Sequence, residues 1–153
     1  KVSGFHVKIF QQCQKHQNEF ISHFYRNSNM DFEIFNFTNK ILNYYSKANL
    51  VITRSGASVL GELINIKIPF ISIPFPSSAD NHQFKNAEFY EKKGYGYLLE
   101  EKDIEYKLND LIISLFKEKS LVKNILSNQR QYSDKNVFIN LKTQIEKIIN
   151  EKN

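Results

Sequence analysis

The sequence predicts an α/β domain in which helices cover both faces of a parallel sheet, followed by a helical carboxy-terminal tail. Short apolar runs alternate with segments of helical periodicity over the first two thirds of the chain. Such alternation is typical of strand–helix–strand units with right-handed crossovers. One run, residues 68–73, is almost continuously apolar, as is usual for a parallel strand covered on both faces. From residue 103 onward the pattern is helical.

The elements follow from these periodicities in chain order. Strands are predicted at residues 5–10, 32–37, 49–53, 68–73 and 95–99. Helices are predicted from the end of the first strand to about residue 25, then at residues 39–47, 56–66, 81–93, 103–119, 121–132 and 136–149. Asn39 is the expected cap of the second helix, and Gly94 the expected stop of the helix that precedes the last strand.

Composition restricts the class of protein. A chain of 153 residues fits one domain, and no apolar run approaches the roughly 18 residues that a membrane-spanning helix needs. The single cysteine, Cys13, excludes an internal disulfide and is compatible with the cytoplasm. Although the net charge is +5, cations and anions are interspersed, which argues against a nucleic-acid partner. A basic surface also suits an anionic lipid or a nucleotide diphosphate.

The first chemical signal is the strand–turn–helix junction formed by residues 49–62. An apolar strand ends at Thr53, small residues form the turn, and a helix follows. Free backbone N–H groups at a helix amino terminus bind phosphates, and Gly56 allows close approach of the backbone to a ligand. Glu62 could accept hydrogen bonds from ribose hydroxyls. The alternative is a plain junction in which Ser55 caps the helix.

The second signal is the junction after the strand at residues 68–73. Asp80, Asn81, His82, Gln83 and Asn86 cluster in the first turns of the next helix. Amide and imidazole groups suit sugar hydroxyls because they donate and accept hydrogen bonds in fixed directions. The alternative is a helix start capped by Asp80, with the other polar residues in solvent.

Together the two junctions resemble MurG-type glycosyltransferases, the GlcNAc transferases of peptidoglycan synthesis. The resemblance rests on the segments Arg54-Ser55-Gly56-Ala57 and Asp80-Asn81-His82-Gln83, together with Glu62, Pro69, Pro74-Phe75, Asn86-Ala87 and Lys93-Gly94. It covers residues 5–150 in pattern and residues 49–99 in specific motif. It implies a GT-B fold, in which two Rossmann-like domains face each other across a cleft, and residues 1–153 match the carboxy-terminal, UDP-GlcNAc-binding half.

The resemblance also implies roles for residues. Backbone groups near Ala57 and Ser58 would contact the phosphates and the sugar, Glu62 would hold the ribose, and His82 and Gln83 would contact GlcNAc hydroxyls. Backbone near Thr38 would contact the uracil. The expected donor-binding residues are Thr38, Arg54, Ser55, Gly56, Ala57, Ser58, Val59, Glu62, Asp80, Asn81, His82, Gln83 and Asn86. No cofactor or metal is implied. The histidines lack metal-ligand spacing, and no Asp-x-Asp pair stands at a strand end.

Two features of the family pattern have no match in the sequence. The first strand with its glycine-rich loop is not found, and neither is the amino-terminal domain that holds the lipid-linked acceptor. The expectation is therefore a fragment or a truncated gene product that is inactive alone and has no identifiable catalytic base. The intact enzyme would work at the inner face of the cell membrane, as a peripheral protein.

The residues are also compatible with two other functions. One is a UDP-GlcNAc-binding subunit of a two-chain glycosyltransferase, whose acceptor subunit is a separate protein. The other is a related GT-B enzyme, such as a UDP-GlcNAc 2-epimerase or a glycolipid transferase. An epimerase needs more carboxylates and histidines near the anomeric carbon than this sequence offers.

Overall fold

The structure is a computed structural model that describes residues 4–132 and 142–143. Its strands are β1 (Lys8–Gln12), β2 (Asp31–Phe35), β3 (Val51–Arg54), β4 (Phe70–Ile73) and β5 (Tyr97–Leu98). Its α-helices are α1 (Asn18–Asn27), α2 (Leu42–Tyr45), α3 (Ala57–Asn65), α4 (His82–Lys92), α5 (Ile104–Lys117) and α6 (Lys119–Gln131). Short 3₁₀ turns lie at Lys15–Gln17, Ala79–Asn81 and Glu101–Asp103.

All five predicted strands are present, with shifted ends, and the alternation with helices is confirmed. The second helix is shorter than predicted, and Asn39 does not cap it, because the helix begins only at Leu42. Instead the Thr38 hydroxyl accepts a hydrogen bond from the N–H of Lys40 at 3.0 Å, a local turn that competes with helix formation. The predicted helix at residues 136–149 lies outside the described residues.

The strands are parallel, as predicted, but they form two sheets. One sheet contains β1 and β2, and the other has the order β3–β4–β5. Lys8 lies opposite Asp31 in the first sheet, and Val51 lies opposite Phe70 in the second. Within the described part of the chain β1 pairs only with β2 and β3 only with β4. Each of these two strands therefore presents an edge without a strand partner.

Helices cover both faces of the second sheet, as the sequence predicts, and β4 divides the core between them. Its side chains alternate, as in any strand. Phe70 belongs to an apolar cluster with Leu60, Leu63 and Ile64 of α3. Ile71 packs on the opposite face, in a second cluster with other apolar residues of the sheet and with α5 and α6, namely Ile73, Leu99, Leu115 and Ile125.

Two tyrosines of α2 link the two sheets. The Tyr44 ring stacks on Phe35 of β2 with 3.8 Å between centroids and meets Phe10 of β1 edge-on at 5.8 Å. The next residue, Tyr45, packs against the apolar cluster of α3 and β4. Consecutive residues of one short helix thus contact both sheets.

Gln129 fastens α6 to the second sheet. Its side chain is fully buried, and Nε2 donates hydrogen bonds to the carbonyls of Ile68 at 3.0 Å and Tyr95 at 2.6 Å. These carbonyls precede β4 and β5. One amide therefore satisfies two backbone acceptors that would be costly to leave unpaired, and it holds the amino ends of two strands against α6.

Among the described residues, no helix is long and apolar enough to cross a bilayer.

Gly96→Ala should destabilise the domain. A Cβ at this position would come within 2.4 Å of the Phe70 ring, and Phe70 is 1% exposed within the apolar cluster of α3 and β4. Overpacking of this kind costs about 1–3 kcal/mol. The matched control is Gly61→Ala on α3, where the nearest atom lies 4.0 Å from the new Cβ. Helix propensity should make that variant more stable by about 0.5–1 kcal/mol. Urea unfolding of both variants measures the contrast, and a neutral Gly96→Ala would contradict this packing.

Candidate functional site

The two polar junctions lie where β3 and β4 end. These strands are parallel neighbours, with Arg54 opposite Ile73, so the turns that follow them emerge at the same sheet edge. In open α/β sheets, ligands bind beyond this carboxyl edge. The structure therefore brings together the two segments that the sequence predicts to bind a ligand.

In the first junction no side chain caps the helix. The N-cap of α3 is Gly56, in an extended conformation and without a side-chain cap bond, so the interpretation of Ser55 as the cap is wrong. Ser55 is fully buried, and its hydroxyl has no hydrogen-bond partner among the described residues. Ala57 and Ser58 are exposed. The first N–H groups of a helix have no acceptor within it, which leaves this end able to bind an anion.

The second junction contains two consecutive left-handed residues. Asp80 has φ 47° and Asn81 has φ 54°, a conformation that most side chains avoid but that Asn and Asp tolerate. Asn81 is the N-cap of α4 and makes no side-chain cap bond, so the interpretation of Asp80 as the cap is also wrong. His82 is exposed, and its Nδ1 lies 2.7 Å from the carbonyl oxygen of Ala79. Strained backbone of this kind tends to occur where function requires it.

Side chains of α4 tie the two junctions to each other. Asn86 donates from Nδ2 to the carbonyl of Ser55 at 3.1 Å, which joins α4 to the first junction. One turn earlier, Oε1 of Gln83 accepts a hydrogen bond from the N–H of Phe75 at 2.9 Å. The N–H of Gln83 in turn donates to the Ser78 hydroxyl at 3.3 Å. The junctions are therefore one connected unit.

Arg54 connects three segments at this edge. Its guanidinium forms an ion pair with Glu101 at 2.5 Å, contacts the Pro74 carbonyl at 3.4 Å and lies 5.4 Å from the centre of the Phe75 ring. Both partners of the ion pair are about half exposed, with side-chain exposures of 51% and 42%, so the pair adds little stability. Glu101 is not among the residues predicted from sequence, because no local pattern relates residues 47 positions apart.

Glu62 lies on α3 beside α2. Its carboxylate is exposed, and it contributes to an elevated pKa of the Tyr45 phenol, which burial raises first and the Glu62 charge raises further. Thr38, by contrast, follows β2 in the other sheet. Within the described residues, its hydroxyl accepts a hydrogen bond from Lys40, and no hydrogen bond joins it to either junction.

The described residues contain no group of three His, Cys, Asp or Glu side chains able to hold a metal ion. The chemistry that this edge does offer is the binding of an anion by backbone N–H groups and the recognition of hydroxyls by amides.

The family model of the glycosyltransferase family 28 C-terminal domain matches residues 2–149. The chain belongs to this family. The resemblance identified from the two motifs is thereby confirmed, and both motifs fall within the matched part of this family 28 domain.

Similar proteins carry one name. A protein of Pelagibacter ubique (strain HTCC1062) is 40% identical over 151 residues, which cover 97% of this chain and 42% of that protein. A protein of Rickettsia bellii (strain RML369-C) is 36% identical over 123 residues, which cover 80% of this chain and 35% of that protein. Both are named UDP-N-acetylglucosamine--N-acetylmuramyl-(pentapeptide) pyrophosphoryl-undecaprenol N-acetylglucosamine transferase. The family 28 domain thus spans about two fifths of the length of these relatives or less.

The fold agrees with a solved structure. Acinetobacter baumannii MurG superposes with a TM-score of 0.73 at 23% sequence identity, over 85% of this chain and 38% of that one. At this identity the likeness concerns the fold. It confirms the predicted α/β, Rossmann-like architecture of one half of a GT-B protein.

Glu62→Gln should lower the pKa of the Tyr45 phenol. The substitution removes the negative charge that disfavours the phenolate, while burial, the larger cause, remains. The pKa should therefore fall and stay above its ordinary value. Carbon-detected NMR titration of labelled tyrosine measures it. Tyr25, whose pKa is raised by burial and by Cys13, is the internal control and should not respond. An unchanged Tyr45 titration would mean that Glu62 does not lie beside α2.

Proposed function

We propose that this family 28 domain binds UDP-GlcNAc and is the donor half of an inverting N-acetylglucosaminyltransferase. The intact enzyme would transfer GlcNAc to undecaprenyl-pyrophosphoryl-MurNAc-pentapeptide, the step from lipid I to lipid II in peptidoglycan synthesis. The observation that carries the proposal is the hydrogen bond from Asn86 to the Ser55 carbonyl, because it joins an anion-binding helix end to a hydroxyl-binding cluster. The names of the two relatives, which state this donor and acceptor, support the proposal.

The diphosphate would bind at the amino end of α3. The backbone of Gly56, Ala57, Ser58 and Val59 presents N–H groups there, and the helix dipole favours negative charge. Ser55 would support this turn from its buried side, since it is buried and its carbonyl accepts a hydrogen bond from Asn86. Arg54 would add positive potential beside the departing UDP, with part of its charge neutralised by Glu101.

The sugars would bind on either side of the diphosphate. Glu62, one and a half turns into α3, has an exposed carboxylate that can accept from the ribose hydroxyls. The hexose would face the start of α4 and its polar cluster of Asp80, Asn81, His82, Gln83 and Asn86. The uracil would meet the backbone near Thr38, which requires that the segment after β2 lies close to the first junction.

The catalytic base is not assigned to this chain. Inversion at the anomeric carbon needs a base to deprotonate the acceptor hydroxyl, and in our proposal that base and the acceptor site belong to a separate amino-terminal domain. The family 28 domain alone should therefore bind UDP-GlcNAc without transferring its sugar. The lipid-linked acceptor and the positive net charge support a peripheral location at the inner face of the membrane, where anionic lipids attract basic surfaces.

We also infer that the intact domain contains one more strand, between β1 and β3. Doubly wound sheets commonly follow the order 3-2-1-4-5-6. In that numbering β1 and β2 would be strands two and three, and β3, β4 and β5 would be strands four to six. The missing strand would then be strand one, which lies between strands two and four in the sheet. Its absence would leave the two sheets and unpaired edges that are observed. It would also account for the 44% exposure of Ile52 in β3.

Amide exchange tests this inference. The N–H of Val51 donates to the Pro69 carbonyl at 3.0 Å, so by alternation the N–H of Ile52 points toward the open edge. In this chain the Ile52 amide should exchange quickly, and in a longer polypeptide that includes the upstream sequence it should be strongly protected. Thr53, which faces β4, is the control and should be protected in both. Equal exchange of Ile52 in the two proteins would contradict the added strand.

Calorimetry tests the donor site. The chain should bind UDP-GlcNAc more tightly than UDP-GalNAc or UDP-glucose. Glu62→Ala should weaken binding of UDP itself about tenfold, as expected for the loss of a charge-assisted hydrogen bond. Gln83→Ala should weaken binding of UDP-GlcNAc and leave UDP nearly unchanged. If both variants bind like the wild type, the residue assignment is wrong, and if the wild type binds no UDP-GlcNAc, the function is wrong.

A further inference from the structure

We infer that Glu101 weakens the binding of the nucleotide product, UDP, by placing a negative charge beside Arg54 at the candidate site. The inference rests on the proposed function, in which UDP leaves this site after each transfer. It adds one repelling residue to a site whose other features attract anions. It follows from the position of Glu101, from its pairing with Arg54 and from the charge difference between UDP and UDP-GlcNAc.

Three helices begin at the carboxyl edge of the second sheet, and their amino ends differ in charge. The helices α3, α4 and α5 follow the parallel strands β3, β4 and β5. The first turns of α3 and α4 contain no acidic residue. The turn that leads into α5 contains Glu101 and Asp103. Because the amino end of any helix attracts anions, the chain's own carboxylates partly neutralise the end of α5, while the end of α3 is left to a ligand.

Arg54 connects the end of α3 with the acidic end of α5. It lies two residues before Gly56, the N-cap of α3. Its side chain reaches across the end of β4, where it contacts the Pro74 carbonyl and the Phe75 ring, and pairs with Glu101 after β5. The positive charge next to the open helix end is therefore partly balanced by a carboxylate from a different strand end.

Glu101 acts through its charge, because it engages only part of the guanidinium. Both recorded hydrogen bonds of Arg54 start from Nη1. Nε and Nη2, which carry the other three of its five N–H groups, have no recorded partner within the described residues. An anion can therefore use these groups while the ion pair persists. Both side chains are about half exposed, so salt should screen the effect of Glu101.

The charge of Glu101 acts more strongly against UDP than against UDP-GlcNAc. In the sugar nucleotide the terminal phosphate is esterified by the sugar and carries one negative charge. Once the sugar has left, this phosphate has a further oxygen that ionises at about pH 6, so that UDP carries one negative charge more at neutral pH. A carboxylate near the site repels the more highly charged product more strongly. Glu101 therefore favours the replacement of UDP by a new donor molecule.

Glu101→Gln tests the inference. The substitution removes the repelling charge and keeps an oxygen that can accept a hydrogen bond from Arg54. At about 0.1 M salt UDP should bind about threefold more tightly or better, and in about 1 M salt most of this gain should be lost. UDP-GlcNAc should gain by a smaller factor. Calorimetry of the whole chain measures the affinities, and a thermal melt confirms that the variant is folded.

Glu118→Gln is the matched control. Glu118 is exposed at the opposite end of α5, and a helix of 14 residues separates the two ends by about 20 Å. This distance is about twice the Debye length of about 10 Å at 0.1 M salt. The control therefore loses the same charge as Glu101→Gln, but its affinity for UDP should stay close to that of the wild type.

Three results would overturn the inference: an unchanged or weaker affinity of Glu101→Gln for UDP, an equal gain in Glu118→Gln, or a gain for UDP-GlcNAc as large as that for UDP. Inorganic pyrophosphate, which has neither uridine nor sugar, keeps this test separate from the proposed function. A wild-type chain that binds no UDP-GlcNAc contradicts the proposed function. Pyrophosphate then still decides the role of Glu101, because equal binding to the wild type and to Glu101→Gln excludes any effect of its charge on the anion site.

Discussion

The hydrogen bond between the Asn86 amide and the Ser55 carbonyl holds the candidate site together. It crosses from the second turn of α4 to the turn before α3, and so it joins two segments that the chain separates by 31 positions. β3 and β4 bring the free amino end of α3 and the polar start of α4 to the same sheet edge, and this bond ties the two to each other. Neither feature would be informative alone, since free helix ends and polar first turns are common in α/β proteins.

Several polar side chains at this edge serve the fold and the site at the same time. The side-chain amides of Gln83 and Asn86 each use one of their two polar atoms in a hydrogen bond to the backbone. The guanidinium of Arg54 pairs with Glu101 and contacts the carbonyl of Pro74. These bonds bring modest stability, because protein hydrogen bonds replace bonds to water. Their larger consequence is order. Each one removes a rotamer or a direction that the side chain could otherwise take, which prepares the site for a ligand.

The division into two sheets gives α2 an importance that its four residues would not suggest. In the described residues no backbone hydrogen bonds of a sheet join the β1–β2 sheet to the β3–β4–β5 sheet, so side-chain packing must connect the two sheets. Tyr44 and Tyr45 supply part of that packing, one on each side. The proximity of Tyr45 to Glu62 places α2 at the rim of the candidate site as well. Tyr44 and Tyr45 therefore help to fix the position of β2, and of the segment after it, relative to the second sheet.

The sequence by itself determined the order and type of the elements, the parallel strands and the two junction motifs, because periodicity and turn chemistry act between residues close in the chain. It also supplied the family, which the match over residues 2–149 confirms. Only the tertiary structure decided that neither Ser55 nor Asp80 caps its helix, that Arg54 pairs with Glu101, and that the sheet is divided. Those outcomes depend on partners that are far away in sequence, or on which strands pair with each other. No local sequence pattern determines either.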